Sequence, residues 1–448
     1  MNRFLIGNWR LAVGSWKTFL LGAAGFLLVS NSAFAEKILL RGATVYTVSG
    51  ETLSPGEVLI EGAKILEVGA TVNSTGAKII SLSGQHLYPG LIALNTTLGL
   101  TEISGVRATR DFSEVGSYTP DVESWIAVSP DSELIPVARA NGVTHIQPVP
   151  QGGIVAGQSG LVALDGWTME KMVAKKPTGL HVFWPGMSLD TRPKEKFDDK
   201  TKWKSPEDQA KERKARLQEL NDFFAEARAY DKAISISKKD SAHEKVPAWE
   251  AVLPYVRAEL PVFIHADDLR QIKAALPWAK TNDLKVILVG GRDAWRMAKE
   301  IAEQKVPVIY EHIYNLPERD ADRYDVNYRA PEILRAAGVK LALGMGATAF
   351  DAGLIKNLPY TVAQGIAFGL PEADALKSIT SIAAELVGLN DRLGSIEAGK
   401  EATLFVADGN IFDIRSNVKR VWIAGKEVSL ETRHTRLYEK YKSRPKAP

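Results

Sequence analysis

The 448-residue sequence has 56 Lys and Arg against 53 Asp and Glu, and it contains no cysteine. This near-balance of charge argues against nucleic acid or an anionic membrane as the main partner. The lack of cysteine excludes disulfides, cysteine-ligated metal ions, a cysteine nucleophile and a lipid anchor on cysteine.

The first 35 residues have the pattern of a secretory signal peptide. A basic segment precedes an uncharged apolar run over residues 19–29, and Ala33 and Ala35 stand at the two small-residue positions that a signal peptidase recognises. The apolar run is short for a membrane span, which needs about 20 residues. We therefore expect cleavage before Glu36, export to the periplasm of a Gram-negative host or secretion, and no stable membrane anchor afterwards.

Short strand-like runs separated by turn residues follow the signal peptide and return near the end of the chain. A β module whose strands come from both ends implies that the middle of the chain is inserted into it. We predict a composite β module over residues 36–88 and 394–431, followed by a basic, solvated tail over residues 432–448.

The segment between them, residues 89–393, alternates short apolar strands with helices. The predicted strands cover residues 87–94, 143–149, 180–184, 261–265, 285–289, 306–310 and 340–343. Such alternation is typical of parallel strands covered on both faces. At this length it predicts an α/β fold with a (β/α)8 barrel. An open doubly wound sheet ranks second, because no Gly-rich nucleotide loop follows a first strand.

A highly charged insertion over residues 187–246 interrupts this alternation. Residues 205–208, Ser-Pro-Glu-Asp, are typical of a helix start. Four apolar side chains then recur on one helix face: Leu217, Leu220, Phe224 and Ala227. The pattern predicts a long amphipathic helix that could be a lid, a partner surface or only a packed excursion.

Three segments resemble motifs of the amidohydrolase superfamily, in the expected order. Residues 87–98 resemble its first barrel strand, whose usual form is Pro-Gly-Leu-Ile-Asp-x-His-x-His. Residues 380–389 resemble its Thr-x-Asn-Pro-Ala-x-x-x-Gly-Leu helix, and residues 393–402 its Gly-Ser-Ile-x-x-Gly-Lys-x-Ala return into the β module. The imidazolonepropionase-like branch is the most similar. The resemblance implies a distorted (β/α)8 barrel with a composite β-sandwich built from both ends of the chain, and metal-assisted hydrolysis.

The resemblance also identifies metal ligands that this chain lacks. In the superfamily, two His on the first strand, one His on each of the fifth and sixth strands, and an Asp after the eighth hold divalent ions that activate water. Here Asn95 and Thr97 replace the first pair, Gly290 replaces the sixth-strand His, and residues 343–347 lack the Asp. Only His265 stands at a ligand position, so we expect at most one zinc-type divalent ion, bound weakly or not at all.

Glu311 and His312 follow the strand predicted over residues 306–310, at the end of the barrel where chemistry takes place. With His265, they could hold an ion or act as a metal-free acid–base group. These three are the predicted catalytic residues. Asp267 and Asp268 could also contribute, or they could only cap the next helix.

Four residues are predicted to contact a substrate. Asn95 and Thr97 are expected to face the barrel interior, because side chains two apart on a strand point the same way. Arg107 and Arg110 lie in the loop after the first strand and could grip a carboxylate in bidentate fashion. An internal Arg–Asp network that orders this loop is the alternative.

The sequence leaves two functions open. One is a hydrolase that cleaves a non-peptide C–N bond, in a cyclic amide or an acylated amine. The other is a catalytically silent relative, a pseudoenzyme, that binds a small molecule or a partner protein. The family resemblance favours the hydrolase, and the loss of metal ligands favours the pseudoenzyme. Oligomerisation is left open.

Overall fold

The computed structural model describes residues 36–236 and 245–445. The predicted signal peptide lies outside the described residues. Among the helices in the described ranges, none is both long enough and apolar enough to cross a membrane.

The described ranges contain sixteen strands and eleven α-helices. The strands are β1 (Lys37–Val45), β2 (Leu53–Glu61), β3 (Lys64–Gly69), β4 (Lys78–Ser81), β5 (His86–Pro89), β6 (Leu91–Thr96), β7 (Val143–Pro148), β8 (Val155–Ala163), β9 (Val173–Phe183), β10 (Val262–Ala266), β11 (Val286–Gly290), β12 (Val308–Tyr310), β13 (Leu341–Leu343), β14 (Leu404–Ala407), β15 (Val418–Ile423) and β16 (Lys426–Val428). The helices are α1 (Leu134–Arg139), α2 (Met169–Met172), α3 (Pro206–Ile236), α4 (Pro247–Val256), α5 (Leu269–Thr281), α6 (Ala298–Glu303), α7 (Val326–Ala336), α8 (Leu358–Ala367), α9 (Glu372–Ser378), α10 (Ser381–Leu386) and α11 (Arg433–Lys442).

The middle of the chain forms an eight-stranded sheet in the order β13-β12-β11-β10-β9-β8-β7-β6. Strands β6 and β7 pair in parallel, and so do neighbouring strands from β9 to β13. Every residue of β6, β7 and β11 is buried, as expected for strands that are covered on both faces. The sheet curves into a nearly closed barrel, and the predicted distorted (β/α)8 barrel is therefore confirmed.

Strand β8 departs from the predicted pattern. It runs antiparallel to both of its neighbours, β7 and β9. The connection from β7 to β8, residues 149–154, is too short for a crossover between parallel strands, which needs about a dozen residues or more. Gly152 and Gly153 both have positive φ in this turn, at 89° and 70°.

The two ends of the chain meet in a second sheet, in the order β16-β15-β14-β5-β1-β2-β3, with β4 paired to β1. Strand β14, from the far end, pairs antiparallel with β5, where Phe405 lies opposite Tyr88. Leu40, Val58 and Trp422 are fully buried in the core that this sheet covers. The prediction of a composite β-sandwich built from both ends is therefore confirmed.

The charged insertion contains α3, a helix of 31 residues. Its buried side chains are Leu220, Phe223, Phe224 and Ala227. Phe224 contacts the ring of Trp278 on α5, and Phe223 contacts Trp249 on α4. This helix is thus packed into the barrel core along one face.

In the described part of the basic tail, residues 433–445 are exposed, and most of them form a helix. Residues 433–442 form α11 because Thr432 caps the helix reciprocally with Thr435. Arg436 on this helix forms an ion pair with Glu133 at 2.6 Å.

Candidate functional site

A cavity of about 470 Å³ opens at the carboxyl-terminal end of the barrel strands. This is the end at which barrel enzymes place their active sites. The polar residues of its lining are Asn95, Gln151, His265, Asp267, Gln271, Glu311, His312, Asn315, Thr348 and Asp351. The predicted residues Asn95, His265, Glu311 and His312 are therefore brought together.

Glu311 is held at the end of β12 by Asn95, whose Nδ2 donates a hydrogen bond to Glu311 Oε1 at 2.7 Å. A side chain at position 344 would place its Cβ only 2.9 Å from that oxygen, so Gly344 leaves the room that Glu311 occupies. Burial raises the pKa of Glu311 well above its usual value, and the charges of Asp267 and Asp351 add to the rise against the hydrogen bond from Asn95. The environment thus favours the protonated carboxyl.

Asp267, after β10, is held by His312. Asn315 Nδ2 donates to His312 Nδ1 at 2.8 Å, so His312 Nε2 carries the proton and donates to Asp267 Oδ1 at 2.6 Å. Both ring nitrogens of His312 are occupied, and this residue therefore positions Asp267. Burial acts to raise the pKa of Asp267, but the hydrogen bond from His312 and the charge of Arg292 outweigh it and lower that pKa.

Gly290 makes the position of Asp267 possible. A Cβ at this sixth-strand position would clash with Asp267 Oδ1 and would lie 3.5 Å from His312 Nε2. The backbone at Gly290 also has a φ of 86°, which disfavours other residues. The site where the superfamily carries a His ligand is thus filled by a carboxylate from the neighbouring strand.

His265 is tied to the barrel interior. Its Nε2 shares a hydrogen bond with His181 Nδ1 at 2.9 Å, and His181 Nε2 lies 2.8 Å from Ser159 Oγ. The His265 ring stacks on Phe183 with centroids 4.0 Å apart. Burial lowers the pKa of His265 to about 3, although the charge of Asp267 acts against it. His265 is therefore a neutral imidazole with one nitrogen already engaged.

A buried polar chain links the two sides of the cavity floor. The backbone N–H of Asn95 donates to Gln147 Oε1 at 3.2 Å, and Gln147 Nε2 donates to Ser159 Oγ at 3.0 Å. Ser159 contacts His181, which contacts His265. Glu311 and His265 are thus connected through four buried residues, Asn95, Gln147, Ser159 and His181.

Thr97 does not line the cavity, against the prediction that it contacts substrate. Strand β6 is irregular where it pairs with β7 between Ala93 and Thr96, and Asn95 has a φ of 49°. The usual alternation of side chains is broken there, so Asn95 and Thr97 do not face the same space. The Thr97 hydroxyl instead donates to the Thr348 carbonyl at 2.8 Å and ties the two loops together.

Arg107 and Arg110 lie in the loop after β6. Both are exposed and neither belongs to the cavity lining. The structure thus places the two predicted carboxylate-binding residues away from the cavity.

Asp351 is a cavity residue that the sequence analysis did not identify. Its Oδ2 accepts hydrogen bonds from Thr348 N at 2.8 Å and from Thr348 Oγ1 at 2.6 Å. Asp267 had only a weak sequence signal, its place two residues after His265. Asp268 is the helix cap, with its side chain accepting from Arg270 N and Gln271 N.

The donor groups around the cavity do not fit a zinc-type ion. Within residues 36–236 and 245–445, no three His, Cys, Asp or Glu side chains converge as a metal site would need. Asp267 occupies the space of the sixth-strand ligand, Asn95 offers N–H groups to Glu311, and His265 turns one nitrogen to His181. No chemical step is therefore assigned to a metal ion here.

Comparison with known proteins gives a consistent family relationship. The sequence profile described as Amidohydrolase family matches residues 167–428. Amidohydrolase tasK from Hapsidospora irregularis is 22% identical over 405 residues, which cover 83% of this chain and 39% of that protein. An imidazolonepropionase from Maricaulis maris is 29% identical over 151 residues, or 34% of this chain and 36% of that protein. The chain thus spans well under half the length of these relatives.

Among solved structures, an amidohydrolase from Thermotoga maritima is similar over nearly its whole length. The TM-score is 0.77 with 26% sequence identity, over 88% of this chain and 99% of that one. The likeness includes both the barrel and the composite sheet, because it covers almost all of the described residues.

Proposed function

This chain belongs to the amidohydrolase family, and from that premise we propose that it hydrolyses a non-peptide C–N bond in a small cyclic amide or acylated amine. The observation that carries the proposal is the pair of carboxyl groups in the barrel cavity, each held by its own partner. Asp267 is held by His312 at 2.6 Å and Glu311 by Asn95 at 2.7 Å. Two carboxyl groups in unlike surroundings are the usual means by which one site supplies both a base and an acid.

In the proposed reaction, Asp267 removes a proton from water as the water oxygen bonds to the amide carbon. Glu311 gives its proton to the leaving nitrogen as the C–N bond breaks. The products are a carboxylic acid and an amine, and transfer of one proton from Asp267 to Glu311 restores the site. The opposite pKa shifts of the two groups support this assignment.

The roles predicted for the two histidines change accordingly. Because both nitrogens of His312 are occupied, we assign it the positioning of Asp267. His265 lines the cavity with one nitrogen engaged by His181. A neutral His265 can contact the substrate but is a poor proton donor.

The test is turnover of a panel of cyclic amides and acylated amines by the mature chain and two isosteric variants. Asp267→Asn and Glu311→Gln should each lower kcat/KM by about 10²–10⁴-fold, the usual contribution of a positioned acid or base. The matched control is Arg107→Ala, outside the cavity, which should keep full turnover. Undiminished turnover in either carboxyl variant, or activity that requires added zinc, would defeat the proposed mechanism.

The second candidate is a pseudoenzyme that binds a small molecule. It is favoured by the poor fit of the cavity residues to the metal on which the superfamily generally depends. A compound that raises the melting temperature of the mature chain, while hydrolysis remains undetectable across the panel, would support this reading. Turnover that disappears in Glu311→Gln would exclude it.

A further inference from the structure

The described lining of the cavity contains three acidic side chains and no Lys or Arg. The acidic side chains are those of Asp267, Glu311 and Asp351. The charge of Arg292 acts on Asp267, but Arg292 lies outside the lining and is paired with Glu318 at 3.0 Å. A ligand that enters this cavity therefore meets the acidic side chains of Asp267 and Asp351, and no Lys or Arg of the described lining opposes them.

A second, independent feature points to a ligand with N–H groups. Asn95 lines the cavity and is only 2% exposed. Its Nδ2 is used by Glu311, while its Oδ1 has no hydrogen-bond partner in the described residues. An acceptor that is buried without a partner is costly, and a donor on a bound ligand would satisfy it.

The size and walls of the cavity fit a small organic molecule. About 470 Å³ lies within the range of small-ligand sites. Phe183 and Trp184 supply aromatic surface to the lining. Aromatic faces beside carboxylates are a common setting for an organic cation.

We propose that the substrate of this cavity carries a cationic nitrogen, as an ammonium or guanidinium group, in the same small molecule as the amide bond that is cleaved. The inference rests on the proposed hydrolase function and adds the substrate class. Asp351 is assigned to the cation because, unlike Asp267 and Glu311, it takes no part in the acid–base pair. Anionic substrates are rejected because like charges would face each other in a partly buried site.

The test is calorimetric binding of three matched amides to the mature chain. N-acetylputrescine carries an ammonium group, N-pentylacetamide is a neutral analogue of similar length, and 4-acetamidobutanoate carries a carboxylate. We expect N-acetylputrescine to bind at least about tenfold more tightly than the neutral amide, the gain from one charge-assisted contact of about 1.4 kcal/mol. The anionic amide should not bind at millimolar concentration.

Two variants assign the effect to the cavity. Asp351→Asn should reduce the preference for the ammonium group to less than about threefold. Asp320→Asn, which removes an exposed acid outside the lining, should leave the preference intact. If Asp351→Asn does not fold, the native chain still gives an answer, because added salt should weaken binding of N-acetylputrescine and spare the neutral amide.

The outcomes separate this inference from the proposed function. Equal or tighter binding of the neutral or anionic amide, no binding of N-acetylputrescine, or its displacement by zinc or calcium ions would overturn the substrate class. Turnover of neutral amides with no preference for the cation would support the hydrolase function and contradict the proposed substrate class. Selective binding of the cationic amide without turnover would support the cation preference and contradict the hydrolase function.

Discussion

Replacement of Gly290 by alanine tests the claim that this glycine exists to admit Asp267. The new Cβ would clash with Asp267 Oδ1 and push the carboxylate away from His312. Two costs add. A non-glycine residue at a φ of 86° costs about 1–2 kcal/mol. Loss of the hydrogen bond from His312 to Asp267 costs about 1 kcal/mol. This is less than a hydrogen bond to a charged group usually contributes, because the Asp267 side chain is 46% exposed.

Gly338→Ala is the matched control, because Gly338 has a φ of 91° and open space where a Cβ would lie. It should lose only the backbone cost of about 1–2 kcal/mol, whereas Gly290→Ala should lose about 2–3 kcal/mol. Urea unfolding of the mature variants measures both. The additional destabilisation by Gly290→Ala, relative to Gly338→Ala, should also become smaller when Gly290→Ala is made in an Asp267→Ala background. Equal destabilisation by the two glycine substitutions would refute the reasoning. So would a Gly290→Ala effect that is unchanged in the Asp267→Ala background.

Three further predictions follow from the same structure. Burial lowers the pKa of His145 to about 4, below its value of about 6.5 in the unfolded chain. Because only the unfolded chain binds a proton at this residue between these two values, the free energy of unfolding should fall by about 3 kcal/mol as the pH drops from about 6.5 towards 4. The melting temperature of His145→Gln should therefore fall less between pH 7 and 4.5 than that of the unmutated chain. An equal fall in both proteins would contradict this. Gly344→Ala, which crowds Glu311 at 2.9 Å, should lower turnover at least about tenfold, as expected when an acid is misplaced; unchanged turnover would show that Glu311 tolerates displacement. Phe224→Ala in α3 should destabilise the chain by about 3–5 kcal/mol, because the ring is fully buried, and a loss below about 1 kcal/mol would show that α3 is only loosely attached.

The overall fold was largely predictable because its signals are local and periodic. Apolar strands that alternate with helices indicate parallel pairing, and strands at both chain ends indicate a composite sheet. Strand β8 escaped prediction because an antiparallel strand inside a barrel breaks that alternation. Its only local sign was the pair Gly152 and Gly153, which a tight turn requires.

The candidate site was predictable only in part, because its geometry depends on contacts between strands. Glu311 was found from its place after a strand, whereas His265 and Asn95 were found because they stand at ligand positions of the amidohydrolase motifs. Thr97 was misplaced because the positive φ of Asn95 breaks the strand alternation. Asparagine adopts positive φ more often than most residues, but the residue type alone does not identify which asparagine does so.

The export prediction depends on residues outside the described ranges, and it has a direct test. We propose that the mature chain begins at Glu36 and resides in the periplasm or outside the cell. Cell fractionation with N-terminal sequencing of the purified protein measures both. A mature protein in the cytoplasm that retains residues 1–35 would contradict the proposal.

Three glycines at the carboxyl-terminal end of the barrel argue that the site is rebuilt rather than eroded. Gly290 leaves room for Asp267. A Cβ at Gly344 would lie 2.9 Å from Glu311 Oε1, and a Cβ at Gly346 would lie 2.9 Å from Asp351 Oδ2. Loss of ligands by drift would leave gaps or unrelated side chains at these positions. Instead, each space is taken by a carboxyl group from elsewhere in the chain, and each carboxyl group accepts a hydrogen bond: Glu311 from Asn95, Asp267 from His312 and Asp351 from Thr348. The acids therefore occupy space that is available because larger side chains are absent at these glycines. This arrangement favours a working site with a different ligand chemistry.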